Sequence, residues 1–162
     1  MSYAQRADRP ADKPARYAEV LEEIGSVLEG EPNLVARMAT VASMLHDAMS
    51  GFFWTGFYVV DKHDELVVGP YQGTLGCLRI RFGRGVCGTA AAEGRTIIVD
   101  DVDAFPGHIS CDSRSKSEIV VPVVDSAGRL IAVLDVDSAE PATFDSTDAE
   151  WLERILARVF SA

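Results

Sequence analysis

The sequence predicts an α+β fold in which helices pack on one face of a central, mostly antiparallel sheet. Two helical patterns precede residue 50, about six short β-type runs follow, and one amphipathic pattern closes the chain. Helices that come before and after the strands, rather than between them, favour this class over a parallel α/β sheet. A length of 162 residues suits one domain, which we expect to span residues 16–162.

Residues 1–15 are rich in alanine, proline and charge and offer little apolar surface to bury, so they are predicted to form a disordered polar tail. The first helix is indicated by four apolar residues at helical spacing: Tyr17, Val20, Leu21 and Ile24. Gly25 and Gly30 are the candidates for its end. The second helix begins after Pro32, and its broad apolar stripe comprises Leu34, Val35, Met38, Val41, Ala42 and Leu45.

From Phe52 onward the pattern changes to short apolar runs separated by Gly, Asp and Pro, which is typical of strands. The runs are FFWTGFYVV, ELVVG, CLRIRF, TIIVD, SEIVVPVV and RLIAVLDVD. The breaks at 61–64 and 125–128 resemble hairpin turns, so the strands that flank each break should be antiparallel. A short alanine-rich helix is expected between Arg84 and Gly94. A last helix, with Ser146 as its cap, should present Trp151, Leu152, Ile155, Leu156 and Phe160.

Composition excludes several classes of partner. The net charge of −10 argues against nucleic acid, because affinity for phosphate backbones comes largely from Lys and Arg. No apolar run approaches the roughly 20 residues that span a bilayer. The first 15 residues also lack the apolar segment of a signal peptide. We therefore expect a cytoplasmic protein without a membrane partner.

The three cysteines, Cys77, Cys87 and Cys111, form no C-x-x-C pair, so neither the usual zinc spacing nor a thioredoxin-type motif is present. Cytoplasmic thiols are kept reduced and are more often catalytic or buried than structural bridges. Cys77 begins an apparent strand. Cys87 lies in a glycine-rich turn into a helix, where the helix dipole and backbone amides are expected to lower the thiol pKa. The alternative is that all three are inert core residues.

Cys111 lies in the segment DVDAFPGHISCDSRSKS, which has no hydrophobic pattern of its own. A loop of this length inside a compact domain is often functional. His108, Arg114 and Lys116 are close in sequence, and their positive charges would favour the thiolate of Cys111.

The segment Gly83–Gly88 matches G-x-G-x-x-G, with Asp101 at a distance suited to a ribose contact. The context argues against a dinucleotide site, because the preceding run alternates with Arg79 and Arg81 instead of being continuously apolar. The following helix is also barely two turns long. The glycines are better explained by a tight turn into a helix.

The acidic residues indicate a functional site more specifically than the glycine motif does. The strand period of two places Ile131, Val133, Asp135 and Asp137 on one face of RLIAVLDVDS. A hairpin at 125–128 would bring Glu118 near Asp137, within one register step. Three acids that converge in a partly desolvated pocket cannot all ionise cheaply, so at least one should keep its proton and act as a general acid. The alternative is that they end a strand in solvent.

Two aromatic residues share a face of the first strand. Trp54 and Tyr58 are four residues apart, a spacing that suits the lining of a small pocket and equally suits ordinary core packing.

Several segments together resemble the free methionine-R-sulfoxide reductases, a catalytic branch of the GAF-domain proteins: GFFWTGFYVV, GPYQGTLGCLRI, GRGVCGTAA, DDVDAFPGHISCD, SEIVVPV and IAVLDVDS. The resemblance runs from about Leu45 to the C-terminal helix and implies a GAF-like domain. It implies that Cys111 is the nucleophile, Cys77 the first resolving thiol and Cys87 an auxiliary thiol. From the residues alone, the order of Cys77 and Cys87 stays open.

The resemblance also implies that Glu118, Asp135 and Asp137 hold the amino acid and protonate the sulfoxide oxygen, while Trp54 and Tyr58 surround the methyl-sulfur end. A sulfoxide is a poor electrophile until its oxygen is protonated, so a thiolate and a carboxylic acid are needed together. Reduction would leave a sulfenic acid, then a disulfide that thioredoxin reduces. No metal or organic cofactor is implied, and the family suggests a homodimer, formed by the N-terminal helices.

Two other functions are considered. A non-catalytic GAF-type sensor would bind a small ligand in the same pocket and pass the signal through its helices, and would be expected to carry an output domain. A redox sensor would oxidise its cysteines without turning over a substrate, but it has no use for the acid cluster.

Overall fold

Six strands form one antiparallel sheet in the order β3-β2-β1-β6-β5-β4. The structure is a computed structural model that describes residues 8–62 and 64–162. Within these residues the elements are α1 (Lys13–Val27), α2 (Leu34–Ala48), β1 (Trp54–Asp61), β2 (Glu65–Gln72), β3 (Arg79–Arg81), α3 (Gly85–Glu93), β4 (Ile97–Val99), β5 (Ser117–Val124), β6 (Leu130–Ser138) and α4 (Ser146–Phe160). A 3₁₀ turn, Val102–Ala104, follows β4.

The sheet separates two apolar clusters. Helices α2 and α4 pack against one face, and α1 packs on these two helices on the same side, which confirms the predicted α+β class and the placement of the terminal helices. Helix α3 packs on the opposite face and contacts β3, β5 and β6. We call these the helix face and the pocket face. None of the helices in residues 8–62 and 64–162 is long and apolar enough to span a bilayer.

The start of α1 lies within the segment predicted to be a disordered tail. The Asp12 side chain accepts a hydrogen bond from the Ala15 backbone N–H at 3.0 Å, and Pro14 occupies the first turn, where a missing N–H does no harm. Arg9 is only 5% exposed, and its guanidinium pairs with Glu23. Residues 9–15 are therefore attached to the domain, whereas residues 1–7 of the predicted tail lie outside the described residues. The helix ends at Val27, between the two glycines that we considered.

Helix α4 is capped one residue earlier than predicted. Asp145, not Ser146, is the N-cap, and its carboxylate accepts from the Thr147 and Asp148 backbone N–H groups. The Asp148 carboxylate in turn accepts from the Asp145 N–H at 2.9 Å, which completes a capping box. Asp and Ser are comparable N-caps, so the residue type alone did not decide between the two positions. Asp148 also accepts from the Tyr17 hydroxyl at 2.6 Å and thereby joins α4 to α1.

The hairpin between β5 and β6 forms at 125–128 as predicted, and it pairs Glu118 with Asp137. One detail of the predicted alternation is wrong: Ile131 packs on the helix face and Leu130 on the pocket face. The register shifts between Val123 and Val124, so β6 carries one extra residue at this point and its alternation changes phase. Beyond this bulge, β6 follows the predicted pattern.

Candidate active site

A pocket opens on the pocket face, between the ends of β1, β5 and β6 and the first turn of α3. Two loops cover it, one at 73–78 and the other at 105–116. It is lined by seven of the eight residues that the sequence singled out: Trp54, Tyr58, Cys87, Cys111, Glu118, Asp135 and Asp137.

The eighth residue, Cys77, forms a disulfide with Cys111 across the mouth of the pocket. The two Cα atoms are 5.5 Å apart, although the residues are separated by 34 positions in the sequence. Cys111 is exposed and Cys77 is half-buried. The bond joins the two covering loops to each other at the edge of the pocket.

Hydrogen bonds connect the same two loops. The Thr74 hydroxyl donates to Asp112 Oδ2 at 2.7 Å, and the Thr74 carbonyl accepts from Trp54 Nε1 at 2.8 Å. A Cβ on Gly76 would lie 2.9 Å from the Trp54 ring and 3.1 Å from the Tyr58 hydroxyl. Glycine at this position therefore lets the first loop lie directly on the two aromatic rings.

Three carboxyl groups lie at the base of the pocket. Burial raises the pKa of Glu118 to about 8, and the neighbouring Asp137 adds to the shift. Burial, followed by the other acids of the cluster, also raises the pKa of Asp135 and of Asp137 well above the usual range. Asp135 is 5% exposed, and its Oδ1 has no hydrogen-bond partner among the described residues. The cluster can therefore hold protons at neutral pH and offers a free acceptor to a ligand.

Cys87 contradicts the prediction that a helix N-terminus would activate it. Burial raises its pKa well above that of a free thiol, and the charges of Asp135 and Glu118 add to the shift. The Cys87 Sγ atom lies 3.9 Å from Glu118 Oε1. The dipole of the nine-residue helix α3 is too weak to offset desolvation and the adjacent carboxyls. Cys87 is thus a protonated thiol within the acid cluster.

The cationic residues that the sequence placed near Cys111 contact other groups. His108 Nε2 lies 3.5 Å from Glu118 Oε2, and burial lowers the pKa of His108, which favours the neutral imidazole. Arg114 pairs with Asp112 at 2.7 Å and lies over the Phe53 ring. Lys116 is exposed, and its backbone N–H bonds to β6.

Aromatic rings line one side of the pocket. Trp54 and Tyr58 lie on the same face of β1, as the strand period predicts, with ring centroids 5.7 Å apart. Tyr71 of β2 also stacks with Trp54, with ring centroids 5.0 Å apart. This surface suits an apolar or polarisable group of a ligand, because rings and sulfur attract each other.

Sequence reasoning missed several residues of the site. Phe53, Gly76, Ile109 and Ser115 line the pocket, and Ser115 hydrogen-bonds to Asp137. Two features of the sequence could have indicated them. Gly76 directly precedes Cys77 and had no other explanation, and Ile109 and Ser115 lie within the long segment around Cys111.

The arrangement combines a disulfide-forming cysteine pair with acids whose pKa values are raised. Ligand atoms of Cys87, Glu118 and Asp135 lie within 4.8 Å of one another, a spacing that suits a small cation and equally a substrate ammonium group. The protons that these groups retain would compete with a metal ion. The chemistry that fits the pocket is reduction of a small molecule with a positively charged group and an oxygen that must be protonated.

Comparison with known proteins agrees with this chemistry. The sequence model of the GAF-domain family matches residues 31–160 of this chain. The chain is similar to a solved structure described as free methionine-R-sulfoxide reductase from Neisseria meningitidis in complex with its substrate, at 52% identity and a TM-score of 0.89, covering 93% of this chain and 89% of that one. It is 40% identical to the free methionine-R-sulfoxide reductase of Saccharomyces cerevisiae, over 85% of this chain and 82% of the relative. It is 38% identical to the Escherichia coli protein of the same name, over 91% of this chain and 88% of the relative.

Proposed function

The chain belongs to the free methionine-R-sulfoxide reductases, a catalytic branch of the GAF-domain family, and we propose that it works through a sulfenic acid on Cys111 and a disulfide with Cys77. Its reaction is the reduction of free methionine-R-sulfoxide to methionine. One observation carries the residue assignment: the Cys77–Cys111 disulfide borders a pocket whose base holds three carboxyls with raised pKa values.

The ammonium group of the substrate pairs with the acid cluster. Its charge favours ionisation of the nearest carboxyl, and the free Oδ1 of Asp135 is available to accept a hydrogen bond from it. The other acids, Glu118 and Asp137, retain a proton. The methyl-sulfur end lies against Trp54 and Tyr58. Backbone amides of the 105–116 loop meet the substrate carboxylate. A methionine inside a polypeptide lacks both charged groups, so recognition is confined to the free amino acid.

In the first chemical step, the Cys111 thiolate attacks the sulfoxide sulfur while Glu118 protonates the sulfoxide oxygen. Glu118 is well suited to this role because its pKa of about 8 keeps it protonated at neutral pH. The oxygen is transferred to Cys111 as a sulfenic acid, methionine leaves, and the sulfur of the substrate has gained two electrons from the cysteine.

In the second step, the Cys77 thiol attacks the sulfenic acid of Cys111, which forms the disulfide and releases water. The short Cα separation of the pair supports Cys77 as the resolving thiol, ahead of the buried Cys87. Cys87 takes an auxiliary role. A dithiol protein of the thioredoxin type then reduces the disulfide by exchange.

The reductase acts in the cytoplasm, where thiols are kept reduced, and it works as a homodimer formed through the N-terminal helices. Exposed apolar residues near the junction of α1 and α2 support this interface: Val27, Leu34 and Val35. Gel filtration of wild type and Val35→Glu tests it. A dimer that Val35→Glu converts to a monomer is expected, whereas a monomeric wild type would contradict the interface.

Single-turnover release of methionine tests the proposed function. Reduced wild-type protein and Cys111→Ser are mixed with free R- or S-methionine sulfoxide, without an external reductant. Wild type should release about one equivalent of methionine from the R epimer only, and Cys111→Ser should release none. No release by reduced wild type from either epimer would contradict the reductase mechanism and favour a ligand-sensing role for the pocket.

A further inference from the structure

Exposed apolar side chains lie close in sequence to both cysteines of the Cys77–Cys111 disulfide. Leu75 and Leu78, on either side of Cys77, are 74% and 69% exposed, and Ile109, two residues before Cys111, is 38% exposed. Single exposed apolar side chains are common, but three around one reactive bond form a patch of the kind that marks an interaction site.

Two of these side chains, Leu75 and Ile109, line the pocket itself. Leu78 directly follows Cys77 in the chain and directly precedes β3. Its backbone carbonyl accepts a hydrogen bond from the Val68 N–H of β2, which holds this end of the 73–78 loop at the edge of the sheet.

The charge near the disulfide differs from that of the chain as a whole. The 73–78 loop has no charged residue, and the 105–116 loop has two basic residues, Arg114 and Lys116, against one acid, Asp112. The whole chain has a net charge of −10. An acidic partner is thus repelled by most of the surface but not by these two loops, which orients its approach.

We propose that Leu75, Leu78 and Ile109 form a docking surface for the dithiol protein that reduces this disulfide, and that this partner attacks Cys111. The inference rests on the proposed function, which requires such a partner once per turnover. An apolar contact surface around an exposed sulfur suits a reductase that must present its own thiolate within bonding distance.

The partner reduces the disulfide by two successive exchange steps. Its first thiolate attacks the Sγ atom of the exposed residue Cys111, the bond to Cys77 breaks, and Cys77 leaves as a thiolate. The second thiol of the partner, once deprotonated, attacks the partner's own sulfur in the mixed disulfide and releases Cys111. The partner is oxidised by two electrons to a disulfide, and Cys77 and Cys111 are both reduced.

The rate of reduction of the pre-oxidised protein tests the surface. Leu78→Ser is compared with wild type and with Val124→Ser, a control at the end of β5 whose apolar side chain is also exposed (37%). Reduction by thioredoxin should be about fivefold to tenfold slower for Leu78→Ser and unchanged for Val124→Ser. Reduction by dithiothreitol, which needs no docking surface, should be the same for all three proteins.

The proposal would be overturned if thioredoxin reduced Leu78→Ser as fast as wild type. It would also be overturned if dithiothreitol reduced Leu78→Ser more slowly than wild type by the same factor as thioredoxin. The point of attack is tested with a thioredoxin variant that keeps only its attacking cysteine: the trapped mixed disulfide should map to Cys111, and mapping to Cys77 would refute that part. Failure of the proposed function is distinguishable, because it would abolish methionine release by reduced wild type, a measurement in which thioredoxin takes no part.

Discussion

The two faces of the sheet are built from the same strands but bury different chemistry. On the helix face, β5 and β6 bury mainly apolar side chains, among them Ile119, Val121 and Leu134. On the pocket face, the alternate positions of the same strands include Glu118 and Asp135, each 5% exposed. The helix face gains stability from burial, whereas the pocket face holds carboxyls out of water and so retains their protons. The comparison implies that substitutions on the two faces should affect different measurements.

The largest expected effect is a loss of activity caused by a substitution on the pocket face. Glu118→Gln keeps the shape of the side chain but removes the proton donor, so kcat/KM for free methionine-R-sulfoxide should fall about 100-fold or more. Disulfide formation driven by peroxide should persist, because it does not need the acid. Glu29→Gln, an exposed acid far from the pocket, is the control and should match wild type. Loss of both reactions, or of neither, would contradict the division of roles between the faces.

The next largest effect is a loss of stability caused by a substitution on the helix face. Leu134 is fully buried beneath the helices, so Leu134→Ala should lower the free energy of unfolding by about 2–5 kcal/mol through lost burial and the cavity that remains. Denaturant unfolding at 25 °C measures it, with Val124→Ala, at an exposed position of β5, as the control. Because Leu134 does not line the pocket, KM of the folded enzyme should be unaffected. A KM shift as large as that of Glu118→Gln would show that the two faces are not separable.

The pH dependence of stability should trace to the pocket face. Burial raises the pKa of Glu118 to about 8 in the folded protein from about 4.5 when unfolded, so the folded state binds more protons in this range. The free energy of unfolding should therefore fall as pH rises from about 5 to about 8. Glu118→Gln should flatten this slope. Equal slopes for wild type and variant in urea titrations at several pH values would assign the dependence to other groups.

A smaller effect is expected from Asp135, which is buried beside two other acids and has an oxygen without a hydrogen-bond partner among the described residues. Asp135→Asn replaces a carboxyl that must take up a proton on folding, at little change in volume, so it should raise the free energy of unfolding at pH 8 by about 1 kcal/mol while weakening substrate binding. A thermal melt at pH 8 and the KM for methionine-R-sulfoxide measure the two effects. Destabilisation by Asp135→Asn would mean that the carboxyl supports the fold.

Regular spacing explains why much of the fold was predictable. The alternation in β5 and β6 aligned Glu118 with Asp137 because the period of a strand and a tight hairpin fix the register locally. The position of Leu130 and Ile131 was not predictable, since nothing in the sequence marks a one-residue bulge. The cap of α4 was misplaced by one residue because Asp145 and Ser146 both suit that role.

What the sequence by itself determined is local: the class of fold, the helices, the convergence of three acids, and the family to which its motifs belong. Only the tertiary structure decided which thiol lies next to Cys111, because Cys77 is 34 residues away and loop conformation has no period to read. The same holds for Cys87, whose position at a helix start suggested an activated thiol. Its pKa is raised by burial and by acids on β5 and β6. Both effects depend on which residues surround the thiol in three dimensions, and the local sequence does not reveal them.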